Sequence, residues 1–128
     1  MATITGTIDG ITLLAASSTG VGARKTYLVT ASFGAYTGAT DDAKLAGVGA
    51  AIASFVRNGK TNSLVGALPH QGGLDTNAQA VYFSGASVKA LSVSGDDLTG
   101  NLTNAAGTEL SSSTASSGVG IIVTVDES

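Results

Sequence analysis

Apolar residues alternate with polar ones along most of the chain, and helical spacing is confined to one segment. Between Arg24 and Phe33, Tyr27, Val29, Ala31 and Phe33 fall on one face and Thr26, Leu28, Thr30 and Ser32 on the other. That period of two predicts a strand with one buried face. Thr3 to Leu14 alternates Ile with Thr and Gly, which predicts a strand, a break at Gly10, and a short strand through Ile11 and Leu13. Thr61 to Leu68 and Ala80 to Phe83 predict further strands, the first ended by Pro69-His70-Gln71-Gly72-Gly73. Ser87 to Ser94 and Leu98 to Leu102 flank Gly95-Asp96-Asp97 and predict a β-hairpin. Val119 to Val125 is apolar on both faces, which predicts a central strand or one covered on both sides.

Helical spacing is found between Asp41 and Arg57, where Leu45, Val48, Ile52, Phe55 and Val56 line one stripe. Thr40 or Asp41 can cap that helix, and Asp41 and Asp42 place negative charge at its positive end. Arg57 sits in the last turn, and Asn58-Gly59 supplies a left-handed stop. Gly47 and Gly49 each cost about 1 kcal/mol against alanine inside a helix. Their presence points to close approach of the helix to a sheet, or to a later helix start. Together the elements predict one domain over residues 1–128, mainly β and α+β at most. The expected architecture is a compact sandwich or barrel of about seven to eight short strands, with one helix packed at about 41–57. No internal repeat is visible.

Composition narrows the function classes. The chain is 43% hydrophobic and 12% charged, too apolar for a disordered segment. With a single proline, Pro69, turns fall to Gly, Asn and Asp. The absence of cysteine excludes a disulfide framework and a thiolate site. Net charge is −3 and the basic residues form nothing denser than Arg24-Lys25, so a nucleic-acid partner is not expected. Met1 to Leu14 lacks the basic start and continuous apolar run of a signal peptide. The most apolar stretch, Leu45 to Val56, is interrupted by Gly47, Gly49 and Ser54, so no membrane span is expected.

Candidate chemistry is thin. His70 is the one histidine, in a turn, and no serine stands in a Gly-x-Ser-x-Gly elbow. Asp41-Asp42 and Asp96-Asp97 lack the spaced oxygen ligands of a calcium loop; helix capping and turn formation account for them. Gly59-Lys60-Thr61 imitates the end of a phosphate-binding loop, but it follows the expected helix instead of opening one. Gly47-Val48-Gly49 has Ile52 where a dinucleotide fingerprint needs its third glycine. Asn101-Leu102-Thr103 is a glycosylation sequon by letter only. Tyr27, Phe33, Tyr36, Phe55, Tyr82 and Phe83 do not interleave with basic residues, as a single-strand nucleic-acid platform would. The expectation is a non-enzymatic protein with no catalytic, cofactor-binding or metal-binding residues.

In texture the chain resembles the small accessory structural proteins of tailed-bacteriophage virions, capsid cement or decoration proteins above all. The stretches that carry the likeness are Lys25 to Val29, Thr40 to Val48, Leu91 to Leu98 and Gly120 to Ser128. The resemblance implies a protein made in the host cytoplasm and carried on the virion, where it binds the major capsid protein or other virion subunits. It also implies a homo-oligomer, with a trimer among the candidates, and a role in clamping adjacent coat subunits. A phage tail or fibre component and a carbohydrate-binding β-sandwich module are the alternative readings. The small-residue segments Ala15 to Gly22, His70 to Asn77 and Ser111 to Gly118, with the N-terminal strand Met1 to Ile8, are the expected contact surfaces.

Overall fold

The structure, a computed structural model, describes residues 2–16, 24–38, 40–53, 62–85, 90–91 and 97–127. In chain order these form β1 (Ala2–Ala16), β2 (Arg24–Phe33), β3 (Tyr36–Thr37), β4 (Asp41–Leu45), α1 (Val48–Ala53) and β5 (Asn62–Gln71). They continue with β6 (Gly73–Asp75), β7 (Ala80–Ser84), β8 (Ala90–Leu91), β9 (Leu98–Thr103), β10 (Ser112–Ser113) and β11 (Ser116–Glu127). The chain is mainly β, as expected, with more strand and less helix than the pattern predicted.

Nine strands join in one mixed sheet of order β2-β1-β4-β9-β7-β6-β11-β5-β8, and β11 also pairs with β2. The ladder therefore returns to its first strand and closes as a barrel. β5 and β6 lie end to end along one edge of β11, and β2 runs along the other. β1 serves two ladders: Ala2 to Gly6 pairs in parallel with β4, and Thr7 to Ala16 pairs antiparallel with β2. The remaining strands, β3 and β10, make a small separate ribbon with Tyr36 opposite Ser113.

Alternation along the strands fills the interior. Tyr27, Val29, Ala31 and Phe33 of β2 point inward with Ile121, Val123 and Val125 of β11. They meet Ala43 and Leu45 of β4, Val81 and Phe83 of β7, and Leu98 and Leu102 of β9 in one cluster. The rings of Phe33 and Phe83 stack at 5.6 Å. Where β1 passes from β2 to β4, Gly6 lies against that stack: a Cβ there would come within 2.4 Å of the Phe33 ring. β11 is central, as its two apolar faces predicted, and each fully buried large side chain contributes about 1.5–3 kcal/mol gross.

Several expectations are corrected. Asp41 to Leu45 is strand β4, not the first turns of a helix, and the helix that follows spans Val48–Ala53. The reason is that Ala43 and Leu45, two positions apart, form the buried face of a strand, while only Leu45 belongs to the helical stripe. Ladders then form on both sides, β1 along Asp41 to Leu45 and β9 along Ala43 to Leu45, and give the strand's peptide groups partners. Gly47, at φ +74°, turns the chain from strand to helix. Val48 and Ile52 are fully buried as the stripe required, whereas Phe55, Val56 and Arg57 lie outside the described residues. Of the hairpin expected across Gly95-Asp96-Asp97, residues 87–89 and 92–96 lie outside the described residues. β8 pairs with β5 through Asn62 and Ser63, and the two edges of β9 are occupied by β4 and β7.

Two breaks turn out to be bulges. At Gly10 the β1–β2 register shifts and β1 continues. At His70 the β5–β11 register shifts, so β5 runs through Pro69 instead of ending before it. Part of the serine-rich segment expected as a loop is strand, in β10 and the start of β11.

Candidate functional site

Two features of the surface stand apart, a polar cleft and an outer sheet face with two rows free of charge. The cleft, about 260 Å³, opens between β3, the turn from β6 to β7, and β10. Its frame is built on Asp75, the last residue of β6. Asp75 Oδ1 accepts the backbone N–H groups of Asn77 and Gln79, both at 2.9 Å. Oδ2 accepts the Thr114 N–H at 3.2 Å, which ties the turn to the segment before β11. Thr76 reinforces that tie, its N–H and hydroxyl meeting Thr114 Oγ1 at 2.9 and 2.6 Å. The side-chain amide of Gln79 donates to Ser112 O at 2.9 Å, standing in for a neighbouring strand beside β10. Ala78 completes the turn at φ 61°, a conformation that alanine adopts only under constraint.

This carboxylate is held below the usual range, first by the Gln79 backbone N–H and then by those of Thr114 and Asn77. With the Gln79 side-chain amide 3.5 Å from Oδ2, four N–H donors face this carboxylate. No group of three or more His, Cys, Asp or Glu side chains fit to hold a metal ion occurs among the described residues.

Other polar side chains hold elements together. The Tyr36 hydroxyl donates to Glu109 Oε2, and Asn101, with its amide nitrogen turned toward Glu109, donates to the same oxygen at 3.0 Å. Burial pushes the phenol's pKa up, and the bond to Glu109 adds to the shift. Asp97 accepts the Gly47 N–H at 2.9 Å and pairs with Lys44 at 3.5 Å, pinning the turn from β4 to α1. Asp41, expected as a helix cap, accepts the Thr37 N–H at 2.9 Å instead. Arg24 and Asp126 form a two-pronged exposed pair at 2.8 and 3.1 Å between β2 and β11, which lowers the carboxyl's pKa. His70 is exposed at the β5 bulge. Asp96 and Gly59-Lys60-Thr61 lie outside the described residues.

The outer face is read from register. Thr12, Leu28, Ile122 and Leu68 stand in one row across β1, β2, β11 and β5. Ala15, Thr26, Thr124 and Gly66 form a second such row, with Thr26 and Thr124 hydroxyls 3.4 Å apart. Leu68 is 67% exposed and Val65 49%, while Leu28 and Ile122 are half-buried. No ionisable side chain stands in either row. Of the expected contact segments, Ala2 to Gly6 is already paired with β4, and residues 17–23 lie outside the described set.

The pattern could announce neither feature. The cleft depends on Asp75 and Thr114 meeting across 39 positions, and the outer face on a register that four strands set together. No protein-family model, curated protein or solved structure matches the chain. No helix among the described residues is long and apolar enough to cross a membrane.

Proposed function

We propose that this protein is a non-enzymatic structural subunit that binds other proteins, of the cement or decoration type in tailed-phage virions. The observation that carries the reading is the outer face of β1, β2, β11 and β5. It exposes Leu68 and Val65 beside Leu28 and Ile122, with threonines around them and no charge within the rows. A protein partner is the natural cover for exposed apolar side chains on the outside of a closed sheet. The resemblance to cement proteins names that partner as the major capsid protein on an assembled shell, met by a homo-oligomer of this chain. Binding to the lattice and not to free subunits would stabilise the shell by mass action, with repeated contacts adding avidity.

Co-sedimentation with purified empty shells tests the reading, with phage tails as a parallel target. Saturable binding to shells is expected, little changed by raised salt because the two rows carry no charge and the neighbouring Arg24 and Asp126 neutralise each other. Leu68→Lys and Ile122→Lys should each reduce occupancy about tenfold or more at fixed protein concentration. Binding to tails alone, or to neither particle, would overturn the cement assignment. Unchanged binding by both variants would remove this face from the interface.

A further inference from the structure

The cleft between β3, the β6–β7 turn and β10 is independent of the outer face and calls for a different kind of occupant. No lysine, arginine or histidine lines it, so nothing there would hold an anion. Its carboxylate, Asp75, already accepts the backbone N–H groups of Asn77, Gln79 and Thr114 and the side-chain amide of Gln79, so its acceptor sites are taken up inside the turn. Of the lining side chains, those of Thr37, Asn77, Ser112 and the buried Ser113 have no hydrogen-bond partner among the described residues, three hydroxyls and one amide. Each of those side chains both donates and accepts. Such a set matches a ligand whose groups also do both, which is the chemistry of neutral hydroxyls. At about 260 Å³ the space falls just under the usual range for drug-sized ligands, about 300–1,000 Å³, and suits one small ring. The walls are already held by Asp75, Thr76, Gln79 and Thr114, so little ordering would be needed on binding.

We propose that this cleft binds one ring of a neutral saccharide, either free or at the end of a glycan. Thr37 and Ser112 meet its hydroxyls from the β3–β10 side, and the Asn77 amide meets them from the turn. Contacts of this kind, few and open to water, give dissociation constants on the order of millimolar.

The test is a titration followed by amide proton–nitrogen NMR. The probes are glucose, galactose, mannose and N-acetylglucosamine, with glucuronate as the charged comparison. At least one neutral sugar should cause saturable shifts concentrated at Thr37, Asn77, Gln79, Ser112 and Thr114. Glucuronate should bind no better. Asn77→Ala, which leaves the backbone N–H bonded to Asp75, should weaken binding about tenfold, the value of one or two neutral hydrogen bonds. Ser112→Ala provides a second variant outside the turn. A neutral disaccharide that binds more tightly, with added shifts at the cleft's rim, identifies a glycan end; equal affinity identifies the free sugar. No shift at these amides with any neutral sugar up to about 50 mM, or affinity untouched by both variants, would overturn the proposal. Neither result bears on shell binding, which is read by sedimentation with different variants.

Discussion

Replacing Gly6 with alanine would drive a methyl group into the Phe33 ring, which cannot yield without disturbing its stack on Phe83. The expected cost is about 1–3 kcal/mol, as for other overpacked sites, measured by urea denaturation. Gly47 tests a different cause, because nothing lies within 4 Å of its added Cβ. Only its φ of +74° opposes a side chain, so Gly47→Ala should cost about 1 kcal/mol and Gly47→Asn less. Ser113 offers the opposite sign. It is 8% exposed and its hydroxyl has no hydrogen-bond partner, so Ser113→Ala should be neutral or stabilise by up to about 1 kcal/mol. A loss above about 1 kcal/mol would show that the hydroxyl is satisfied.

Among the elements, β2 and β11 were legible in the sequence because tertiary contacts agree with their local alternation. Tyr27, Val29, Ala31 and Phe33 are buried on the predicted face, and Ile121, Val123 and Val125 are inward as well. The stretch Asp41 to Leu45 was ambiguous in principle: five residues fit either period, and only the arrival of β1 and β9 decides. Bulges at Gly10 and His70 looked like strand ends for a related reason, since a shift in register is a property of two strands and not of one. The β6–β7 turn adds a prediction at this scale. The Asp75 carboxyl is held below its free value of 3.8, so its ionised form contributes stability that is fully present above about pH 4. That contribution is lost as pH falls through the lowered folded value. Thermal melts of the wild type should therefore drop below pH 4. Asp75→Asn should melt lower at pH 7 and show a shallower acid decline; parallel curves would mean that other carboxylates set the acid limit.

For the molecule as a whole, the closed ladder joins parts of the chain that are far apart in sequence. β1 meets β4 and β2, and β11 meets β2, β5 and β6. Deleting residues 2–6 would remove the parallel partner of β4, so this change should lower stability as well as any contact made by the N-terminus. Pairings over such distances place refolding in the millisecond-to-second range, which stopped-flow fluorescence of the tyrosines can check. β11 also has a bearing on biosynthesis. β2 and β5 each present an edge and an apolar face to it, yet both leave the ribosome before it does. Until then the nascent chain holds two sticky, unmated strands, an invitation to aggregation or to chaperone capture. A stop codon before Ser116 should therefore send the product to inclusion bodies, and a peptide of residues 116–127 supplied in trans during refolding should recover soluble protein.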